Sequence, residues 1–199
     1  MCRKYFQKWY DALTKPKETF KKEKKNASLK EAIKNIGLGG LIGGVAAFIS
    51  LTLTTSSPFF ALSYIISVPI ASIISLIISS AVFYLFAKLF GGKGNYNLQT
   101  YLISLYRAPL LPIVNLFAVI PLGGIIIRIA AEIYAIYLTT LALKETHNYS
   151  TGRAVATWLV PALIVTVFVA ATYYIYIQTL NQLLLSPITP EGSLILPPP

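Results

Sequence analysis

The stretch IGLGGLIGGVAAFISLTLT, Ile36–Thr54, contains no charged residue. Extended back to Ser28, it exceeds the roughly 20 residues that a helix needs to cross a ~30 Å hydrocarbon core. Further apolar stretches follow to about Leu185, broken by short turns of Gly, Pro, Ser, Asn and charge. In lipid a backbone must satisfy its own hydrogen bonds, so each stretch is read as a helix. The expected spans are Ser28 to Thr54, Ala61 to Phe90, Leu98 to Ile120, Leu122 to Lys144, and Arg153 to somewhere between Tyr176 and Leu185. The predicted fold class is all-α: a polytopic membrane protein, a bundle of five transmembrane helices with an amphipathic N-terminal helix. Residues 1–27 form a basic head, 28–185 the membrane domain and 186–199 a Pro-rich tail.

Composition agrees. The 199-residue chain is 55% hydrophobic and only 12% charged, too apolar for an ordinary soluble domain. Its net charge of +10 is skewed, with eleven of 17 Lys and Arg in the first 34 residues. Five spans place the head, Lys88, Lys93, Lys144 and Arg153 on one side. The other turns and the tail carry no Lys or Arg. The positive-inside rule then predicts a multi-pass cell-membrane protein with a cytoplasmic N-terminus and an external C-terminus.

In the head, Tyr5, Phe6, Trp9, Tyr10 and Leu13 share one helical face. Pro16 restarts the helix, and Lys17, Lys21, Lys22, Lys24 and Lys25 follow. Aromatics beside lysines predict a helix lying in the headgroup layer. Trp9, Lys21, Lys22, Lys24 and Lys25 are its candidate membrane-surface or lipid-binding residues. A solvated positive anchor and a contact for an acidic partner are the other readings. Nothing beyond charge suggests nucleic acid. Cys2, the lone cysteine, allows no intrachain disulfide and is read as an unmodified thiol or, less simply, as a lipidated one.

Gly39, Gly40, Gly43 and Gly44 give two overlapping G-x-x-x-G spacings, where small residues let another backbone approach. The approaching helix belongs to the same chain or, on the sharper reading, to a second copy. Ser63, Ser67, Ala71, Ser75 and Ser79 form a stripe every four residues. It reads as packing surface or, less simply, as a water path. Pro69 is expected to kink that helix.

Arg107, Arg128 and Glu132 are the ionisable residues expected deep in the bilayer, where each costs at least ~2.5 kcal/mol. Arg128 and Glu132, four apart, share a face. At ~1.5 Å per residue from a turn near Pro121, Arg128, Glu132 and Arg107 lie about 10, 16 and 21 Å deep. The simplest arrangement is one carboxylate held between two arginines. It serves as a helix-pinning network, an anion or lipid-headgroup site, or a proton relay. His147 has no second ligand-type neighbour beyond Glu145, so no metal is expected; it reads as a turn residue capping a helix end. No nucleophile–base pair or catalytic motif appears, so no catalytic residue, cofactor or enzymatic activity is assigned. Ser150 and Thr151 are expected to cap the last helix.

Three strings carry a family resemblance. They are Trp9 with Lys15-Pro16-Lys17-Glu18-Thr19-Phe20; Leu89-Phe90-Gly91-Gly92-Lys93-Gly94-Asn95-Tyr96 with Tyr101 and Ala108-Pro109; and Leu143-Lys144-Glu145-Thr146-His147-Asn148-Tyr149-Ser150-Thr151-Gly152-Arg153-Ala154. In that order they resemble the head, the "GGKG" turn and the "LKE-x-H-x-x-STGRA" turn of the Ypt-interacting-protein membrane family, the Yip domain, of prokaryotic type. The resemblance implies five membrane helices, a cytoplasmic head and no assigned biochemical activity. Eukaryotic members bind Rab-type GTPases, but their acidic "DLYGP" element is absent here, so that binding is not carried over. Arg107, Arg128 and Glu132 depart from the family's usual apolar or small residues. The expected function is a non-enzymatic scaffold, adaptor or membrane organiser. Its expected partners are membrane lipids, including anionic ones, and other membrane proteins or a second copy. The alternative is a small transporter or channel using the Arg/Glu cluster and the Ser-lined face.

Overall fold

The structure, a computed structural model, describes residues 2–54 and 58–185. The Pro-rich tail and the middle of the 54–60 turn lie outside the described residues. Those described contain eight α-helices: α1 (Cys2–Thr14), α2 (Pro16–Glu23), α3 (Leu29–Thr54), α4 (Pro58–Leu62), α5 (Tyr64–Leu89), α6 (Tyr96–Leu116), α7 (Pro121–His147) and α8 (Thr151–Leu185). Five segments are long and apolar enough to span a membrane: Leu29–Thr54, Pro58–Leu89, Tyr96–Val119, Leu122–His147 and Thr151–Gln182. The protein is thus an all-α polytopic membrane protein.

The chain forms two compact units, Met1–Trp158 and Leu159–Pro199. In the described part of the second, α8 continues as an apolar helix exposing Leu163, Ile164, Val167 and Phe168. The first holds the head and the other spans.

Local chemistry sets the helix ends. Pro16 starts α2, where its missing N–H costs nothing. The Glu31 N–H donates to Ser28 Oγ at 3.1 Å, so Ser28 caps α3. Glu31's own carboxylate turns away, accepting from Tyr5 Oη at 3.1 Å and Lys34 Nζ at 2.7 Å. The Leu98 N–H donates to Asn95 Oδ1 at 2.8 Å, capping α6. Asn148, at φ 53°, ends α7 in the left-handed conformation, its N–H donating to the Lys144 carbonyl. At the start of α8, the Thr151 hydroxyl accepts from Lys144 Nζ at 3.0 Å.

Helix α3 packs between α5 and α6, and its glycines divide between them. A Cβ on Gly39 would lie 2.4 Å from the Ala108 carbonyl oxygen, and one on Gly43 3.1 Å from Leu111 Cβ; both neighbours are on α6. A Cβ on Gly40 would lie 2.6 Å from Pro69 Cα, and one on Gly44 2.6 Å from the Tyr64 oxygen; both are on α5. The two G-x-x-x-G stripes therefore seat two different helices of the same chain. They are not left open for a second copy.

The serine stripe is a different matter. Ser63, Ser67, Ala71 and Ser75 are exposed and only Ser79 is half-buried, so most of this face neither packs against the bundle nor lines an internal path. The packing face of α5 lies elsewhere, on Pro69, Ser72, Leu76 and Ser80.

Candidate functional site

At the basic end of the first unit, α1 and α2 fold onto the membrane helices. Trp9, Ala12 and Phe20 are 3%, 0% and 0% exposed and join one core with Ile36, Leu102, Tyr106 and Leu138. Trp9 is therefore corrected from a lipid-facing residue to a core residue. Its indole N–H donates to Asn35 Oδ1 at 3.4 Å, and Asn35 Nδ2 donates to Ser104 Oγ at 3.3 Å. The outward aromatics of α1 are Phe6 and Tyr10. At the far end of α1, the Tyr134 hydroxyl donates to the Leu13 carbonyl.

The centre of this docking is Glu23, only 5% exposed. Its Oε2 accepts from Lys8 Nζ at 2.6 Å, Tyr101 Oη at 2.6 Å and Asn26 Nδ2 at 3.2 Å. One carboxylate thus ties α1, α2 and the third span together. Burial pushes its pKa up, but the hydrogen bonds from Lys8 and Tyr101, the Lys8 charge and the Asn26 amide outweigh burial and hold it below the ordinary 4.5. A carboxyl whose pKa is lowered by folding stabilises the fold above its unfolded value. That contribution is lost as pH falls from there through the lowered folded value. The midpoint of thermal unfolding should therefore drop on acidification below about pH 4.5. In Glu23→Gln the same pH step should have a smaller effect, which a pH series on both proteins checks.

The lysines of the head separate. Lys24 is half-buried and pairs with Glu145 of α7 at 2.9 Å. Its ammonium is paired within the protein, while 30% of its side chain stays exposed. Lys21, Lys22 and Lys25 are exposed, as are Arg3, Lys4, Lys15 and Lys17. With its apolar side occupied by protein, the head shows the outside a basic surface carrying Phe6 and Tyr10.

The two turn motifs meet one another. His147 is 1% exposed, its Nδ1 accepts from the Gly94 N–H at 3.1 Å, and its Nε2 sits 2.8 Å from Gln99 Oε1. With Nδ1 accepting, Nε2 carries the proton and donates to Gln99, whose Nε2 donates to the Ser80 carbonyl at 2.7 Å. His147 is thus a buried clasp between α5, α6 and α7, and Asn148 takes the capping role expected of it. The glycines opposite are required by shape. Gly91 has φ 80°, and a Cβ on Gly92 or Gly94 would lie 2.6 Å from His147 Nδ1 or 2.4 Å from the Thr146 oxygen.

The charge cluster departs from the expected pairing. Arg107, Arg128 and Glu132 line one cavity of about 130 Å³ between α6 and α7, yet no ion pair joins them. Arg128 and Glu132 stand on the exposed rim, and Arg precedes Glu, the weaker order for an i,i+4 pair. Arg107 Nε is buried with no hydrogen-bond partner.

Sequence reasoning missed Glu23, Lys8, Tyr101, Asn35 and Ser104. Asn35, Tyr101 and Ser104 carried one signal, a polar group on an apolar span that needs a partner when buried; Lys8 and Glu23, in the charged head, carried none. Among the described residues, no group of three His, Cys, Asp or Glu could hold a metal ion.

No curated protein and no solved structure matches the chain. The family model of the Yip1 domain matches residues 10–173. That range takes in the docked head from Tyr10, both clasped turns and all five spans as far as the middle of α8, and by it the chain belongs to the Yip1 domain family.

Proposed function

We propose that this Yip1-domain protein is a non-enzymatic membrane scaffold or adaptor of the prokaryotic type. Its contact surface is the basic outer side of the head, Lys21, Lys22 and Lys25 with Phe6 and Tyr10. The observation behind this reading is that the head's apolar side is taken up by the bundle, which leaves a fixed basic surface free for acidic proteins or anionic lipid. The test is copurification from native membranes. Wild-type protein should retain acidic partners or anionic lipid that the Lys21→Gln, Lys22→Gln, Lys25→Gln variant loses, with the loss copied by raised salt. Identical sets of bound molecules would remove the reading.

The same reading puts the head in the cytoplasm, because the basic residues of head and turns gather at one end. The sequons Asn26-Ala27-Ser28 and Asn148-Tyr149-Ser150 should then stay unmodified in a glycosylating host. Glycan on either reverses the orientation.

The charged cavity favours a second reading, a small transporter or channel. Anion flux into proteoliposomes that Arg128→Gln abolishes would support it. The outward serine stripe offers it no path.

A further inference from the structure

We propose that the cavity between α6 and α7 is a binding site for a phosphate-type anion, held by Arg107 and Arg128. This goes beyond the scaffold reading and does not depend on it.

Two faces build the site. On α6, Arg107, Leu110, Leu111, Val114 and Asn115 fall at i, i+3, i+4, i+7 and i+8; on α7, Arg128, Ala131, Glu132 and Ala135 fall at i, i+3, i+4 and i+7. The small side chains of Ala131 and Ala135 open the space between the faces. At about 130 Å³ the cavity is well above the ~30 Å³ share of one water. Its charges are two guanidiniums and one carboxylate, so one positive charge is left over. Apart from the Asn115 amide its walls are Leu, Val and Ala, where an unanswered charge is costly. Arg107 Nε is buried without an acceptor; the guanidinium also interacts with the Tyr106 hydroxyl, and no ion pair satisfies either arginine. An anion between them supplies Nε with its missing acceptor and both arginines with a counter-charge. Guanidinium favours phosphate because its planar fork donates to two oxygens. Glu132, the one like charge, favours an anion with an O–H to donate to it. The exposed rim at Arg128 and Glu132 leaves the cavity open at its side.

The source of the phosphate is a lipid headgroup or a soluble ion, and one titration separates them. Purified full-length protein in neutral detergent is titrated with short-chain phosphatidic acid, the matching phosphatidylcholine, and inorganic phosphate. Phosphatidic acid should bind saturably and at least about ten-fold more tightly than phosphatidylcholine. Inorganic phosphate matching phosphatidic acid assigns the site to a soluble anion; inorganic phosphate far weaker assigns it to a headgroup. Arg107→Gln and Arg128→Gln should each weaken binding about ten-fold or more, and Glu132→Gln should not weaken it. Arg128 is exposed, so its variant carries the test if Arg107→Gln fails to fold. Absence of saturable binding would overturn the proposal. So would binding that Arg128→Gln leaves unchanged, or binding lost in the Lys21→Gln, Lys22→Gln, Lys25→Gln variant, which would place the anion on the head.

Discussion

Gly39→Ala should destabilise the detergent-solubilised protein by about 3 kcal/mol or more, while Gly37→Ala should be neutral or stabilising. Both changes raise helix propensity by the same ~1 kcal/mol, so the contrast isolates packing. At Gly39 the new Cβ meets Ala108 O at 2.4 Å, Cα at 2.6 Å and C at 2.8 Å, all backbone. No rotamer change can relieve that, and α3 and α6 must separate at the centre of the unit. At Gly37 the nearest atom is Ile73 Cδ1 at 3.5 Å, an ordinary contact. Gly44, 2.6 Å from the Tyr64 oxygen, should behave like Gly39. Equal unfolding midpoints for the Gly37 and Gly39 variants would show that the two helices lie farther apart than described.

Glu23→Ala should release the head, at a cost of roughly 3 kcal/mol. The loss takes the carboxylate from the Lys8 ammonium and the Tyr101 hydroxyl, which both donate to the same oxygen, and leaves Lys8 only its 3.3 Å bond to Tyr101 Oη. Lys8 keeps some solvent, which lowers the cost below that of a fully enclosed pair. Glu23→Gln keeps one acceptor and should lose less. The readout is proteolysis between α2 and α3, where Ala27 and Ser28 link the head to the first span. The Ala variant should be cut faster than wild type while the spans stay intact. Tyr101→Phe should speed cleavage by a smaller step, because it removes a hydroxyl that donates to Glu23 and accepts from Lys8 but keeps the Lys8–Glu23 pair. Wild-type cleavage rates in both variants would mean that the head is not held by this carboxylate.

The spans were readable because lipid imposes a simple demand: enough apolar residues in a row, with charge at the ends. The start of the first span followed from local chemistry at Ser28 and the restart of the head helix from Pro16, whereas the cap that ends α7 is Asn148 and not the expected His147. The head was harder for a physical reason. The face bearing Trp9 and Leu13 has the same pattern whether it meets acyl chains or protein. What separates the cases is polar complementarity with distant residues, Glu23 with Tyr101 and Trp9 with Asn35, which no local window contains. The glycines announced close packing but not their partners; one stripe serves α6 and the other α5. The Arg/Glu cluster illustrates a further gap. Rise per residue places Arg107 and Glu132 along the axis, but not the direction in which each points around it. They reach one cavity without pairing. His147 was legible as a turn residue only, since its clasp depends on Gly94 and Gln99, some fifty positions away.

The head is a fixed part of the membrane domain, with Trp9 in protein and not in lipid. Trp9 and Trp158 are the only tryptophans, so Trp158→Phe leaves Trp9 as a single reporter. The full-length variant is reconstituted in bilayers with lipids brominated at successive acyl depths, and Trp9 emission is followed. The docked head predicts little quenching by any brominated lipid, with Glu23→Ala restoring it. Strong quenching of Trp9 by shallow brominated lipid, unchanged by Glu23→Ala, would place Trp9 in lipid and return the head to the membrane surface.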